Sequence, residues 1–98
     1  MPRPCRCRRI RCQPDVSCFK PRGIPLDRLE EVQLKLDEWE ALRLADWEGL
    51  YQEEAAGRMG ISRQTFGNII ESAHKKIADV LLHAKALKIE GGVVKMVK

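Results

Sequence analysis

One glycine between two helical segments constrains the fold of this chain more than any other feature. The stretch Gln52–Ile70 reads QEEAAGRMGISRQTFGNII. Gly60 can take the positive φ that ends a helix, and Ser62 is a residue type that caps the start of the next one. The sequence therefore predicts a helix over Gln52–Met59, a three-residue turn, and a long helix that begins at Arg63.

The residues around this turn have the sizes that two steeply crossing helices need. Ala56 is small enough for the two backbones to approach, and Ile61 can fill the gap beneath the turn. The shared core face is predicted to comprise Ala55, Met59, Phe66 and Ile69. This pattern is typical of a helix-turn-helix whose helix after the turn reads DNA. A purely structural helical hairpin joined by glycine satisfies part of the same pattern.

The segment before the turn predicts one further helix. Asp37 can cap its first N–H groups, and Glu40 three residues later completes a pattern like a capping box. Gly49 is predicted to end this helix. We expect Trp39 and Trp47 to be core aromatics.

The two ends of the chain carry weaker signals. Residues 1–25 contain all five prolines, so they predict an arm with at most a short strand around Arg8–Cys12. Residues 31–36 are either extended or the end of a short helix starting near Leu26. Gly91 and Gly92 between apolar runs predict a hairpin or a loose tail. The predicted fold is mainly α, with a basic arm at 1–25, a helix-turn-helix domain at 26–87 and an apolar, β or extended tail at 88–98.

Charge is segregated along the chain, whose formal net charge is +4. Residues 1–23 carry seven basic groups and one acidic group, and residues 55–98 carry eight basic and three acidic groups. Residues 27–54 carry three basic and ten acidic groups. The two basic blocks can therefore approach a polyanion while the acidic block faces away. This segregation favours a nucleic-acid-binding surface over a surface of mixed charges that only contacts solvent.

The four cysteines are confined to the arm. Cys5, Cys7, Cys12 and Cys18 form C-x-C-x4-C-x5-C, which is not the spacing of an ordinary zinc knuckle. Neighbouring arginines would lower the pKa of these thiols and make them more reactive. The sequence leaves open reduced thiols, zinc or an iron–sulfur cluster, and with them a metal- or redox-binding module that acts through a protein interface.

The chain resembles two groups of proteins. LDEWEALRLADWEGLYQEEAAGRMGISRQTF is similar to the fourth region of sigma-70 factors, which reads a promoter element. Most of the chain resembles an uncharacterised prokaryotic family of small proteins to which DNA binding is ascribed. The matching segments are Met1–Pro4, Phe19–Leu26, Glu40–Asp46, Gln52–Ala56, Ser62–Gly67 and Lys85–Gly92. The resemblance implies a DNA-binding role, and it places Cys7 and Cys12, but not Cys5 and Cys18, at positions where relatives often carry cysteine.

The first turns of the helix after the turn carry the predicted DNA contacts. Arg63, Gln64 and Asn68 have side chains that can recognise guanine or adenine in the major groove. Ser62 and Thr65 suit phosphate oxygens, because the helix N-terminus adds its positive dipole. Gly67 would allow close approach either of DNA or of the preceding helix. Further candidate contacts to the DNA backbone are Lys75 and Lys76, which solvation explains equally well, and the arm residues Arg3, Arg6, Arg8, Arg9 and Arg11.

Other classes of protein are disfavoured. No Ser-His-Asp arrangement, phosphate-binding glycine loop or HExxH motif occurs, so we expect no enzyme and no small-molecule substrate. No apolar run approaches the length of a membrane span, and the opening residues do not resemble a signal peptide. The sequence therefore predicts a cytoplasmic regulator of transcription that binds double-stranded DNA. A homodimer is expected, because a unit this small buries limited surface and its tail is apolar.

Overall fold

A computed structural model describes residues 8–10, 14–92 and 94–96 of the chain. In chain order the elements are β1 (Arg8–Ile10), β2 (Cys18–Phe19), a 3-10 turn (Leu26–Arg28), β3 (Glu31–Leu34), α1 (Leu36–Leu42), a π-helical segment (Arg43–Trp47), α2 (Gln52–Met59), α3 (Arg63–His83), β4 (Ala86–Ile89) and β5 (Val94–Met96). The chain therefore folds as a small domain of three helices with a small mixed sheet, which is less purely helical than expected. Among these residues no helix is both long enough and apolar enough to cross a membrane.

The strands form two sheets that join distant parts of the chain. In the three-stranded sheet, β4 lies in the middle, antiparallel to β2 and parallel to β3. In the other sheet, β1 pairs in parallel with β5, so that Arg8 is opposite Val94. The strand between Arg8 and Cys12 is thus observed, and so is the extended alternative for residues 31–36. Of the alternatives for the tail, the hairpin at Gly91 and Gly92 is wrong, because the strands on either side belong to different sheets. The β alternative for the tail is observed as β5.

Two apolar clusters hold the helices. The cluster between α1, α2 and α3 is formed by Ala41, Leu44, Ala55, Ala56, Met59, Phe66, Ile69 and Ile70. The other lies between α1, α3 and the three-stranded sheet and consists of Leu34, Ala73 and Ile89, with Trp39 packed against them. Ile10 of β1 is fully buried, and β1 contacts α1 and α2. The first strand is therefore part of the folded domain.

The first helix differs from expectation at its start and in its last turn, whereas Gly49, with a φ of 74°, ends the helical path as predicted. It begins at Leu36, with Lys35 as its N-cap, and the backbone N–H of Lys35 donates to Glu38 at 2.8 Å. The capping carboxylate is thus Glu38 and not Glu40. At the other end the chain widens into the π-helical segment, where the N–H of Glu48 donates to the carbonyl of Arg43. Trp47, at the end of this segment, is 85% exposed, so its assignment to the core was wrong.

Candidate nucleic-acid interface

The α2–turn–α3 unit, comprising α2, residues 60–62 and α3, is held by the apolar face that its sequence predicts. Ala55, Met59 and Phe66 are fully buried, and Ile69 is nearly so. Ala56, the small residue expected at the crossing, is 2% exposed. Removing this much apolar surface from water on one side fixes the helices and leaves their other sides available for contacts.

Two local features set the turn between α2 and α3. Gly60 ends α2 in the left-handed conformation, with a φ of 69°. Ser62 caps α3, because its Oγ accepts a hydrogen bond from the backbone N–H of Thr65 at 3.1 Å. The Ser62 hydroxyl also donates to Oγ1 of Thr65 at 2.9 Å, so both predicted phosphate ligands already take part in the cap. Half-buried Ile61 packs against the core below the turn, as expected.

The three predicted base-reading residues lie together on the exposed face of α3. Arg63, Gln64 and Asn68 are exposed, and none of the three makes a side-chain hydrogen bond or ion pair within the described part of the chain. They line one open depression with three further residues, Gln52, Gly67 and Glu71. Apart from Gly67, the residues that line the depression have polar side chains, and it runs along the first turns of α3.

Sequence reasoning missed two of the residues in this depression. Glu71 is not among the predicted contacts, although it lies four residues after Gly67 and therefore on the same helix face. Gln52 comes from the start of α2, and only the crossing of the two helices brings it there. A helical-wheel projection of α3 would have found Glu71. No signal within α3 could have found Gln52.

Packing between α2 and α3 does not require a glycine at position 67. A Cβ at this position would meet only Oε1 of Gln52, at 3.5 Å, which is an ordinary contact. Of the two predicted reasons for Gly67, close approach of α2 is therefore not required by the structure. Close approach of an external ligand stays a prediction.

One arginine of the arm lies beside the turn. A Cβ at Gly60 would stand 2.7 Å from Nε and 2.8 Å from Nη2 of Arg9, so the guanidinium lies directly against this glycine. Strand β1 thus brings a positive charge to the turn that precedes α3. Of the other predicted arm contacts, Arg8 is described by its backbone in β1 only. Those outside the described residues are Arg3, Arg6 and Arg11.

The two lysines further along α3 have different surroundings. Lys75 is exposed, as a contact to a phosphate requires. Lys76 pairs instead with the buried carboxylate of Glu38, with 2.7 Å between Nζ and Oε1. The second oxygen of Glu38 accepts a hydrogen bond from Ser72. Lys76 therefore ties α3 to α1, a structural role that neither sequence-based interpretation included.

The pKa of the Glu38 carboxyl results from opposing effects. Burial raises the pKa, but hydrogen bonds from Lys76, Ser72 and the backbone of Lys35, together with the charge of Lys76, lower it further than burial raises it. The net result is a pKa below the ordinary value of a glutamate. The carboxylate is thus charged at neutral pH, and it holds the middle of α3 in place.

Histidines and cysteines give no metal site in the described part of the chain. No group of three or more His, Cys, Asp or Glu side chains there could hold an ion. His74 hydrogen-bonds Asp46 at 2.6 Å, and His83 hydrogen-bonds Asp79 at 2.7 Å. Cys18 is free and exposed in β2. The predicted ligands Cys5, Cys7 and Cys12 lie outside the described residues.

Comparison with known proteins gives one consistent family. The model of the family described as "Protein of unknown function DUF134" matches residues 1–97. A "UPF0251 protein" of Prosthecochloris aestuarii is 63% identical over 92 residues, which cover 94% of this chain and 59% of the relative. A "UPF0251 protein" of Moorella thermoacetica is 53% identical over 97 residues, which cover 99% of this chain and 65% of the relative. The chain thus spans about three fifths of the length of these two relatives. No solved structure matches.

Proposed function

The chain belongs to the family described as protein of unknown function DUF134, and we propose that it is a sequence-specific DNA-binding protein that regulates transcription in the cytoplasm. Its α2–turn–α3 unit would act as a helix-turn-helix similar to the fourth region of sigma-70 factors. Double-stranded DNA would be the ligand, with the first turns of α3 in the major groove. The family match confirms the expected resemblance to an uncharacterised prokaryotic family. The similarity to sigma-70 factors and the DNA-binding role are part of our proposal.

One observation carries this proposal. The first turns of α3 are buried on one side and present Arg63, Gln64 and Asn68 on the other, with no partner for these side chains among the described residues. Because the core fixes the helix, its backbone needs no further ordering on binding, and only the side chains that meet base edges lose rotamer freedom. Arginine can bind O6 and N7 of guanine together, and glutamine or asparagine can bind N6 and N7 of adenine.

Positive charge at the start of α3 supports an orientation in which the first turns of this helix face the DNA. The helix N-terminus carries a partial positive charge, and Arg9 lies beside the turn that precedes it. Exposed Lys75 follows three turns later on α3. Such groups contact phosphates and fix the register of a protein on the duplex without reading its sequence.

Selection of bound duplexes from a random pool, followed by titration of the selected site, tests the proposal. We expect Arg63→Ala and Gln64→Ala each to weaken binding to that site by about 1–3 kcal/mol and to relax its sequence preference. Arg28→Ala is the matched control, because it removes an exposed arginine that belongs to the 3-10 turn and does not line the depression. If the wild type selects no sequence, or if the two α3 variants bind like the control, the proposal is wrong.

Arg9 and the rest of the arm require substitution rather than deletion. Ile10 is fully buried, so removing residues 1–11 would damage the core together with the predicted contacts. We expect Arg9→Gln to weaken binding to all duplexes alike and to reduce the salt dependence by about one phosphate contact. A loss confined to the selected sequence would assign Arg9 to base reading instead.

We also propose that the protein is a homodimer, but the exposed apolar surface that supports this lies on α3 and not in the tail. Strand β5 of the apolar tail already pairs with β1, whereas Leu81 and Leu82 near the end of α3 are 77% and 78% exposed. A two-fold dimer places two recognition helices about 34 Å apart and selects a palindrome. A monomer in light scattering at high protein concentration, with a non-palindromic selected site, would refute it.

The metal- or redox-binding alternative rests on the arm cysteines alone. Its test is the zinc and iron content of protein purified anaerobically. Metal at well below one atom per chain would leave DNA binding as the single proposal.

A further inference from the structure

The exposed face of α3 continues one turn beyond the predicted base-reading residues and reaches Glu71. This residue lines the same depression as Arg63, Gln64 and Asn68. Its carboxylate is exposed and makes no hydrogen bond or ion pair within the described part of the chain. A negative charge on a surface offered to DNA is repelled by the phosphates, unless the carboxylate meets a hydrogen-bond donor in the groove.

The spacing along α3 gives Glu71 a base position of its own. Glu71 follows Gln64 by seven residues, which is two helical turns and about 10 Å along the axis. Base pairs of B-DNA are spaced by about 3.4 Å along the duplex axis, so this distance spans about three base-pair steps. With α3 lying along the major groove, Glu71 would therefore face bases beyond those that face Arg63 and Gln64.

The surroundings of Glu71 leave room for a base edge. Long helical side chains lean toward the helix N-terminus, so Glu71 leans toward Gly67 one turn earlier. A Cβ at Gly67 would have only Oε1 of Gln52 within 4 Å. The glycine thus leaves an opening that is bordered by the side chains of Gln52 and Glu71.

The chemistry of a carboxylate selects among the four bases. An ionised glutamate only accepts hydrogen bonds. Adenine presents its amino group beside the acceptor N7, which repels a carboxylate, whereas cytosine presents its N4 amino group without a neighbouring acceptor on the same base. We propose that Glu71 determines specificity by accepting a hydrogen bond from the N4 amino group of a cytosine in the major groove. This inference rests on the proposed DNA-binding function and adds a residue and a base to it.

Selection from a random duplex pool, carried out with three full-length proteins, tests this assignment. Glu71→Ala removes the carboxylate, and Glu53→Ala removes another exposed carboxylate, from α2, as the matched control. We expect the wild type and the control to select a site with one cytosine that Glu71→Ala no longer requires. Replacing this cytosine by thymine should weaken the wild type about tenfold or more and leave Glu71→Ala unchanged.

A modified base tests the hydrogen bond itself. N4-methylcytosine keeps the hydrogen that pairs with guanine but loses the one that points into the major groove. At the selected position it should weaken the wild type about as much as thymine does, and it should not affect Glu71→Ala.

The outcomes separate this inference from the proposed function. If the wild type selects a site but Glu71→Ala selects the same cytosine, or binds every duplex more tightly to an equal degree, Glu71 is only a repulsive charge and the inference is overturned. If the wild type selects no sequence at all, the proposed function fails first. Far-ultraviolet circular dichroism shows that the variants are folded.

Discussion

The two halves of α3 are built differently. In the first half, up to Ala73, one face is buried in the core and the other is polar; the buried residues are Phe66, Ile69, Ile70 and Ala73. The second half has no fully buried residue, and Leu81 and Leu82 are largely exposed. The first half is thus rigidly held where it presents polar side chains. The second half extends beyond the two buried clusters and makes polar contacts through Lys76 and Asp79.

These polar contacts also differ in depth. Glu38 is buried and binds Ser72 and Lys76 in the middle of α3. Near the helix end, Asp79 binds His83 and Lys85 at the surface. Hydrogen bonds from His83 and Lys85 lower the pKa of Asp79, but solvent screens such exposed pairs. We therefore expect the stability of α3 to depend on Glu38 far more than on Asp79.

The largest loss of stability is expected from a buried side chain in the first half of α3, compared with an exposed one in the second half. Phe66→Ala should lower the free energy of unfolding by about 3–5 kcal/mol, because it opens a cavity in the core. Leu82→Ala removes an exposed side chain and should change it by less than about 0.5 kcal/mol. Urea denaturation measures both. Similar losses for the two variants would show that Leu82 is covered in solution, for example by a second copy of the chain.

The next effect concerns the buried carboxylate. Glu38→Gln should lower the free energy of unfolding by about 1–3 kcal/mol at neutral pH, since it leaves the half-buried ammonium group of Lys76 without a charged partner. Because the pKa of Glu38 is lowered in the folded state, its stabilisation is complete above the pKa of the unfolded chain and is lost as the pH falls through the folded pKa.

Urea denaturation between neutral pH and about pH 3 measures this dependence. The Glu38→Gln variant should lose less stability on acidification than the wild type. Asp79→Asn is the comparison and should keep most of the acid-dependent loss, because solvent screens the pairs of Asp79. An unchanged pH profile in Glu38→Gln would contradict the assignment.

A smaller effect tests how the start of α3 is fixed. Gly60→Ala and Gly49→Ala both place a Cβ on a residue with positive φ, which costs about 1–2 kcal/mol. Only Gly60→Ala also displaces the Arg9 guanidinium, because a Cβ at Gly49 meets nothing within 4 Å. Gly60→Ala should therefore be the more destabilising variant, and Arg9→Ala should remove the difference. Equal losses in the wild-type background would mean that Arg9 does not lie on the turn.

The smallest expected change in stability comes from two glycines, and comparing it with DNA affinity shows whether Gly67 contacts the ligand. Gly67→Ala and Gly57→Ala should each raise the free energy of unfolding by up to about 1 kcal/mol, because alanine favours a helix more than glycine does and neither Cβ is obstructed. If the exposed face binds DNA, only Gly67→Ala should weaken binding to the selected duplex. Equal affinities of the two variants would place Gly67 outside the contact.

The part of the fold that sequence predicted is the part determined by neighbouring residues. Gly60, Ser62 and the spacing of Phe66 and Ile69 act within a few residues, and the bounds predicted for α2 and the start of α3 are confirmed. The shared core face of the two helices follows from the same spacing. No long-range information is needed for any of these features.

The rest depends on partners that are distant in the chain or on an irregular turn. No local pattern gives the register in which β1 pairs with β5. The position of Arg9 beside Gly60 depends on this pairing. Trp47 was misplaced because the π-helical segment bonds five residues apart, so later side chains no longer follow α-helical spacing. Lys76 was misjudged because Glu38, its partner, lies on another helix.

The pairing of β1 with β5 also has a consequence for the order of folding. Its two strands come from nearly opposite ends of the chain, so closing this contact costs more chain entropy than forming α2, the turn and α3. Contacts of this kind form late and open early. We expect the amides of β1 and β5 to exchange their hydrogens before those of α3, so that Arg9 reaches the turn last during folding and leaves it first.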